Sequence, residues 1–198
     1  MAAKKKSQEV EEFMFDEYIG NALPMIGEQV TDREFEIYHK EKFSNAKLSN
    51  YRGKWLVLFF YPKDFTYICP TELEDMQEHY AQLKKMGVEI VSVSTDTAVV
   101  HKAWHDNSEA IGKITFPMAA DPTGTLSRDF GVHIEAEGVT HRGTFIINPK
   151  GELVAYEVHN DDIGRNAAEL VRKIQAAQLS QHTKGRFALP SGRQVQQR

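Results

Sequence analysis

The apolar residues fall into runs whose period changes along the chain. The longest unbroken run is Trp55-Leu56-Val57-Leu58-Phe59-Phe60-Tyr61, bounded by Gly53 and Pro62. Its length and aromatic content predict a strand buried on both faces. After it, Leu73, Met76, Tyr80, Leu83 and Met86 recur at steps of three and four, the period of a helix with one buried face. Glu72, Glu74 and Asp75 are expected in the first turn of that helix and Lys84 and Lys85 in its last, both complementing the macrodipole, with Gly87 as the stop. Pro70 fits an early helical position, where no donor is lost. Residues 88–95 predict a second strand, with Asp96 as the cap of a helix over 97–110. Residues 116–120 predict a short strand, and Asp121-Pro122-Thr123-Gly124 a turn into a short helix ending at Gly131. Glu137-Gly138 reads as a turn tip. Residues 144–148 and 152–158 flank Pro149-Lys150-Gly151 and predict a hairpin. A last helix over 163–179 keeps the helical period through Ala167, Leu170, Val171, Ile174 and Ala177.

The two ends carry weaker patterns. Residues 1–12 are charged and expected to be flexible or a short helix. Residues 13–50 are mixed, with Gly20, Pro24 and Gly27 as punctuation and short extended pieces at most. From Ser180 onward the chain is polar and reads as a loosely held tail. Alternating strands and helices predict an α/β domain, a central mixed sheet flanked by helices. The 198 residues suffice for one such core, expected over 1–178 with 179–198 as a tail.

Composition narrows the function. Net charge is -4, so no broad basic surface is on offer and no nucleic-acid partner is expected. Lys4-Lys5-Lys6 is too short to read as more than a solvated end. No apolar stretch approaches the ~20 residues of a membrane span, and the first residues lack the apolar stretch of a signal peptide. No membrane partner is therefore expected. With a single cysteine no intrachain disulfide can form, which fits a reducing, cytoplasmic setting.

That cysteine, Cys69, stands where the long apolar run gives way to the helix. Amide groups at a helix N-terminus favour thiolate over thiol, so Cys69 is a candidate nucleophile; the competing reading is a buried structural cysteine. Thr66, three residues upstream, offers a hydrogen bond to a thiolate or a bound oxygen. The rigid ring of Pro62 can shield the sulfur from water. His101 and His105 are four apart, a spacing metal ligands often use. Lys102 rather than Glu follows His101, and no third ligand is evident, so no metal site is expected. Trp104 between them is expected in the core. No glycine-rich phosphate loop appears.

The segment Pro62-x-x-x-Thr66-x-x-Cys69 resembles the active-site motif of peroxiredoxins, and Phe60 to Glu72 is similar to their alkyl hydroperoxide reductase C branch. The likeness continues through Ser92-Val93-Ser94-Thr95-Asp96-Thr97, His101-Lys102-Ala103-Trp104-His105, Asp121-Pro122-Thr123-Gly124, Arg142-Gly143-Thr144-Phe145-Ile146-Ile147 and Ile163-Gly164-Arg165, covering roughly 50–178. The order of elements is likewise similar to a thioredoxin-like fold with extra elements at its front. The resemblance implies a thiol peroxidase that reduces hydrogen peroxide and small organic hydroperoxides with no metal, haem or flavin cofactor. It makes Cys69 the peroxidatic thiolate and sets Arg142 beside it, where a guanidinium favours the anion and can donate to the peroxide oxygens. It has Thr66 hydrogen-bond along the reacting O–O axis, Pro62 shield the sulfur, and Glu72 and Arg165 orient Arg142. The amides of residues 68 and 69 would add donors. The product is a sulfenic acid at Cys69. The family also implies homodimers, commonly joined into decamers, with residues before Asp121 and the loop near Phe65 between dimers. An oligomeric holdase chaperone or redox-signalling protein on the same scaffold is the alternative function.

The sequence departs from this branch in one respect. The branch usually carries a second, resolving cysteine in its tail; here Gly185-Arg186-Phe187-Ala188 falls where it would lie. The expectation is a one-cysteine enzyme whose sulfenic acid is reduced by an external thiol: thioredoxin, glutaredoxin or a low-molecular-weight thiol.

Overall fold

The computed structural model describes residues 24–188, so the charged start at 1–12 and the end of the tail lie outside the described residues. Strand β3 (Trp55–Phe60) is buried at every position, as its unbroken apolar run predicts. It pairs in parallel with β4 (Val88–Ser94) and antiparallel with β8 (Arg142–Ile147). On one side the sheet continues through β5 (Met118–Ala120), β1 (Glu34–His39) and β2 (Lys42–Lys47); on the other it ends at β9 (Leu153–His159). The order of this seven-stranded mixed sheet is β2-β1-β5-β4-β3-β8-β9. A small separate hairpin pairs β6 (His133–Ile134) with β7 (Val139–Thr140) and turns at Gly138, whose φ of 65° suits glycine.

Strand β3 alternates its side chains between two cores. Trp55, Val57 and Phe59 pack with Leu73 and Met76 of helix α1 (Ile68–Lys85), Trp104 of α2 (Ala98–Asn107) and Leu170 and Ile174 of α4 (Ala167–His182). Leu56, Leu58 and Phe60 pack on the opposite face with Phe35, Ile37, Val132 and Leu126, the last from the short α3 (Thr125–Asp129). Each fully buried large side chain contributes roughly 1.5–3 kcal/mol.

Several local expectations need correction. Helix α1 begins at Ile68, so Glu72, Glu74 and Asp75 lie beyond its first turn and do not serve the macrodipole there. Asp96 does not cap α2; Thr97 does, accepting from Val100 N, while Asp96 receives Asp64 N and Ser94 Oγ. The stretch before β3 is more than short extended pieces, because β1 and β2 form a full hairpin along the sheet edge. Its turn was hidden because Lys40 and Glu41 take φ of 51° and 61° without glycine or asparagine. Helix α4 starts at Ala167 rather than 163, where Asn166 accepts from Glu169 N as its cap.

Candidate active site

Cys69 sits in the first turn of α1 and is completely buried. The residue preceding the helix, Tyr67, makes no side-chain cap bond, so no side chain at that position competes for the first-turn amides. The next residue, Pro70, has no amide hydrogen to leave unpaired.

Arg142 reaches the sulfur from 73 residues away. Strands β3 and β8 pair with Phe59 opposite Thr144, and continuing that register brings Arg142 level with Tyr61, where the active-site turn begins. Thr140 Oγ1 donates to Tyr61 O at 2.9 Å and ties the two segments together there. The guanidinium is buried, with Nη1 3.4 Å from Cys69 Sγ and 2.6 Å from Glu72 Oε2, while Nε donates to Asp161 O at 2.7 Å. Glu72, one turn on from Cys69, also accepts from Arg165 N at 2.8 Å and Arg165 Nε at 2.9 Å. Arg165 is fixed in turn by Gly143 O at 2.8 Å and Thr144 Oγ1 at 3.2 Å, and its guanidinium lies 3.4 Å from the Phe59 ring centre.

Burial alone would raise the Glu72 carboxyl, but the Arg165 hydrogen bonds and the charges of both arginines outweigh it and hold the group below the usual carboxylate range. Burial likewise pulls against the Arg142 guanidinium; its bond to Cys69 and the charge of Glu72 win and keep it above its ordinary value. Two buried guanidiniums thus face one buried carboxylate. A lone surplus charge in such a place is costly, and an anion at the Cys69 sulfur or on a bound oxygen balances it. The cluster can hold a sulfur nucleophile as an anion and present donors to an oxygen leaving group.

Among the residues expected here, Cys69, Arg142, Glu72 and Arg165 form one connected group. Pro62 is buried in the turn between β3 and α1. Thr66 is half-buried in the same turn, and its hydroxyl donates to Lys63 O at 3.1 Å rather than to the sulfur. Its lone pairs are left free to accept. Trp104 is buried as expected, with its ring 6.0 Å from those of both Tyr61 and Phe65, whereas Phe65 itself is exposed. His101 is not poised as a metal ligand: Nδ1 meets Asp64 and Nε2 meets Ala119 O. Among the described residues one grouping, Glu41, His105 and Asp106, has metal-like spacing, but Lys102 pairs with both of its carboxylates. Sequence reasoning missed the Asp161 carbonyl, since a backbone acceptor leaves no trace in residue type. It weighed His101 only as a metal ligand and did not join it to Asp64; the available signal was a histidine on the buried period of α2, between Ala98 and Trp104.

Residues 26–156 match the family model described as "AhpC/TSA family". The chain belongs to that family. Within the AhpC/TSA family it is similar to alkyl hydroperoxide reductase C of Bacillus subtilis (strain 168), 47% identical over 82% of this chain and 87% of that one. It is similar also to alkyl hydroperoxide reductase C of Ferdinandcohnia aciditolerans, 53% identical over 73% of this chain and 86% of the relative. Among solved structures, Enterococcus faecalis AhpC superposes with a TM-score of 0.81 at 47% identity, covering 85% of this chain and all of that one. A reduced 2-Cys peroxiredoxin of Plasmodium vivax gives the same TM-score at 27% identity, covering 85% of this chain and 89% of its own. The AhpC/TSA fold here is therefore a thioredoxin-like peroxiredoxin fold, as the resemblance implied.

Proposed function

We propose that the protein reduces hydrogen peroxide and small organic hydroperoxides at Cys69, and that an external thiol completes each cycle. Membership of the AhpC/TSA family, with relatives near half identity, makes the chain a thiol-dependent peroxidase and favours that reading over a holdase or signalling role. The observation that carries the residue assignment is Arg142 Nη1 at 3.4 Å from a completely buried sulfur at a helix N-terminus.

The Cys69 thiolate attacks one peroxide oxygen in line with the O–O bond. A sulfur–oxygen bond forms, the O–O bond breaks, and the leaving oxygen departs as alkoxide or hydroxide and takes up a proton to give alcohol or water. Sulfur is oxidised to the sulfenic acid and the peroxide is reduced. Arg142, free helix amides and the buried surroundings stabilise the charge growing on the leaving oxygen, which a more acidic thiol alone would not do. The Thr66 hydroxyl, its proton committed to Lys63 O, accepts the peroxide O–H and steers it. Pro62 limits water at the sulfur. Glu72 and Arg165 hold Arg142 in place.

Cys69 is the only cysteine of the sequence, so the same chain has no partner thiol for its sulfenic acid. A thiol from thioredoxin, glutaredoxin or a small molecule condenses with it, releasing water, and a second thiol then frees Cys69 and leaves as the disulfide. The protein acts in the cytoplasm, as a homodimer built into a decamer. The β9 edge of the sheet, with Tyr156 and Val158 exposed, suits a second copy; exposed Phe65 and Val99 suit the contact between dimers. Among the described residues no helix is long and apolar enough to cross a membrane.

The test is peroxide loss with each thiol supplied in turn, for the wild type and Cys69→Ser. Activity of the wild type alone, with one oxygen added to Cys69 by mass spectrometry, supports the reading. Full activity in the serine variant ends it.

A further inference from the structure

The turn from Pro62 to Tyr67 carries Pro62 and Thr66, yet little of its own sequence explains its shape. Phe65 takes a φ of 55°, a left-handed conformation that side chains other than glycine disfavour. Something outside the turn must hold it.

Asp64 does so through buried bonds. Its amide donates to Asp96 Oδ2 at 2.8 Å, its Oδ1 accepts from the Tyr61 hydroxyl at 2.7 Å, and its Oδ2 lies 2.8 Å from His101 Nδ1. The Asp64 and His101 side chains are 1% and 0% exposed. His101 Nε2 lies 3.0 Å from Ala119 O, and a carbonyl only accepts, so Nε2 carries a hydrogen. A carboxylate facing a bare Nδ1 lone pair would repel it. One further proton therefore lies on the Nδ1–Oδ2 line, whether the pair is written as imidazolium and carboxylate or as imidazole and carboxylic acid. The groups that face this pair are the Tyr61 hydroxyl from the end of β3, the Asp96 carboxylate from the β4–α2 turn, and the Ala119 carbonyl from β5; none is a cation. Burial raises the Asp64 carboxyl, opposed by its bond to His101, and so favours keeping that proton. Among the described residues neither Asp64 nor His101 hydrogen-bonds to Arg142, Glu72 or Cys69. A buried pair of this kind is a poor source of stability compared with apolar residues of the same size, but it fixes orientation.

We propose that His101 and Asp64 are positioning residues of the peroxidatic site: the proton they share pins the active-site turn to α2 and so sets where Thr66 meets the peroxide. This rests on the reading of Thr66 as a peroxide-binding group.

The experiment is a double-mutant cycle on the second-order rate of peroxide reduction, with His101→Asn, Thr66→Val and the pair. The Cys69 thiolate absorbance is titrated and thermal unfolding measured for each protein. With the turn loosened, His101→Asn should react roughly 10- to 100-fold more slowly while its thiolate titration overlays that of the wild type. Because His101 acts through Thr66, the double variant should be little slower than Thr66→Val alone; a merely structural loss would multiply. If His101→Asn does not fold, Tyr61→Phe removes only the hydroxyl bond to Asp64, and should slow the reaction about 3- to 10-fold with the same failure to multiply. Wild-type rates in a folded variant, losses that multiply, or a Thr66→Val protein as fast as the wild type would each overturn the proposal while leaving the peroxidase reading intact. A wild type that consumes no peroxide would bring down both.

Discussion

Glu72 grips Arg142 by the same nitrogen that faces the sulfur: Nη1 lies 2.6 Å from the Glu72 carboxylate and 3.4 Å from Cys69 Sγ. The Nε of the same guanidinium is meanwhile tied to Asp161 O. A lysine has a single nitrogen and cannot make this fork. Arg142→Lys should therefore lower the second-order rate with peroxide by about 10²–10³-fold, the usual cost of one misplaced oxyanion donor. Stopped-flow measurement of peroxide reduction checks it; a lysine variant at wild-type speed would mean that a point charge suffices.

The Glu72 carboxyl is depressed in the folded protein. Its stabilising contribution is thus fully present above its unfolded value of about 4.3 and is lost as pH falls through the lower folded value. Glu72→Gln leaves two buried guanidiniums facing a neutral amide. At neutral pH it should cost about 3 kcal/mol, the low end for breaking a buried pair because the amide oxygen still accepts. Below the unfolded carboxyl value the gap to the wild type should narrow. Urea midpoints across that range read it directly, and a constant gap would contradict the linkage.

Thr66 gives its proton to Lys63 O and keeps its lone pairs for the substrate. Thr66→Ser preserves both and should retain most of the activity. Thr66→Val removes both at nearly constant volume and should slow peroxide reduction roughly 10- to 100-fold, since one mispositioned reacting atom can cost that much. Equal rates for the two variants would remove the hydroxyl from the mechanism.

Gly143 follows Arg142 directly, and its carbonyl accepts from Arg165. A Cβ there would lie 2.8 Å from both the Phe145 ring and Val132 Cγ1. Gly143→Ala should destabilise the fold by about 1–3 kcal/mol, the range for overpacking a filled core. It should also slow the peroxide step, because the strand that clashes is the one that delivers Arg142. Thermal melts and initial rates on one preparation test both halves.

The elements around β3 were legible in the sequence because unbroken burial and helical period leave clear patterns. The hairpin of β1 and β2 was not, since Lys40 and Glu41 adopt turn geometry without turn residues and β2 is largely exposed. Cys69, Thr66 and Pro62 lie in one short segment and announce themselves together. Arg142 entered only through family likeness, because the pairing of β3 with β8 that delivers it is a long-range register no local pattern encodes. By pattern alone Glu72 reads as a helix-terminal acid, and family likeness had it orient Arg142 together with Arg165; the structure shows its carboxylate shared by both arginines. The bond between Asp64 and His101 joins positions 37 apart, and only the fold reveals it.

With no second cysteine in the chain, the oxidised protein should stay monomeric on a non-reducing gel apart from any Cys69–Cys69 pair between copies. Without added thiol, the fast phase of peroxide consumption should end near one equivalent per chain, and excess peroxide should then be consumed more slowly as it adds a second oxygen to the sulfur. Mass spectrometry of the Cys69 peptide follows both stages. A disulfide involving any other residue would be impossible, and sustained turnover without thiol would rule out the proposed cycle.

The proline that follows Cys69 in the first turn of α1 has a chemical consequence beyond helix geometry. An oxidised cysteine can protect itself by condensing with a neighbouring backbone nitrogen into a cyclic sulfenamide. The nitrogen after Cys69 belongs to Pro70 and bears no hydrogen to give up. That internal shelter is closed, and the fate of each oxidised site rests on whether a thiol or another peroxide arrives first.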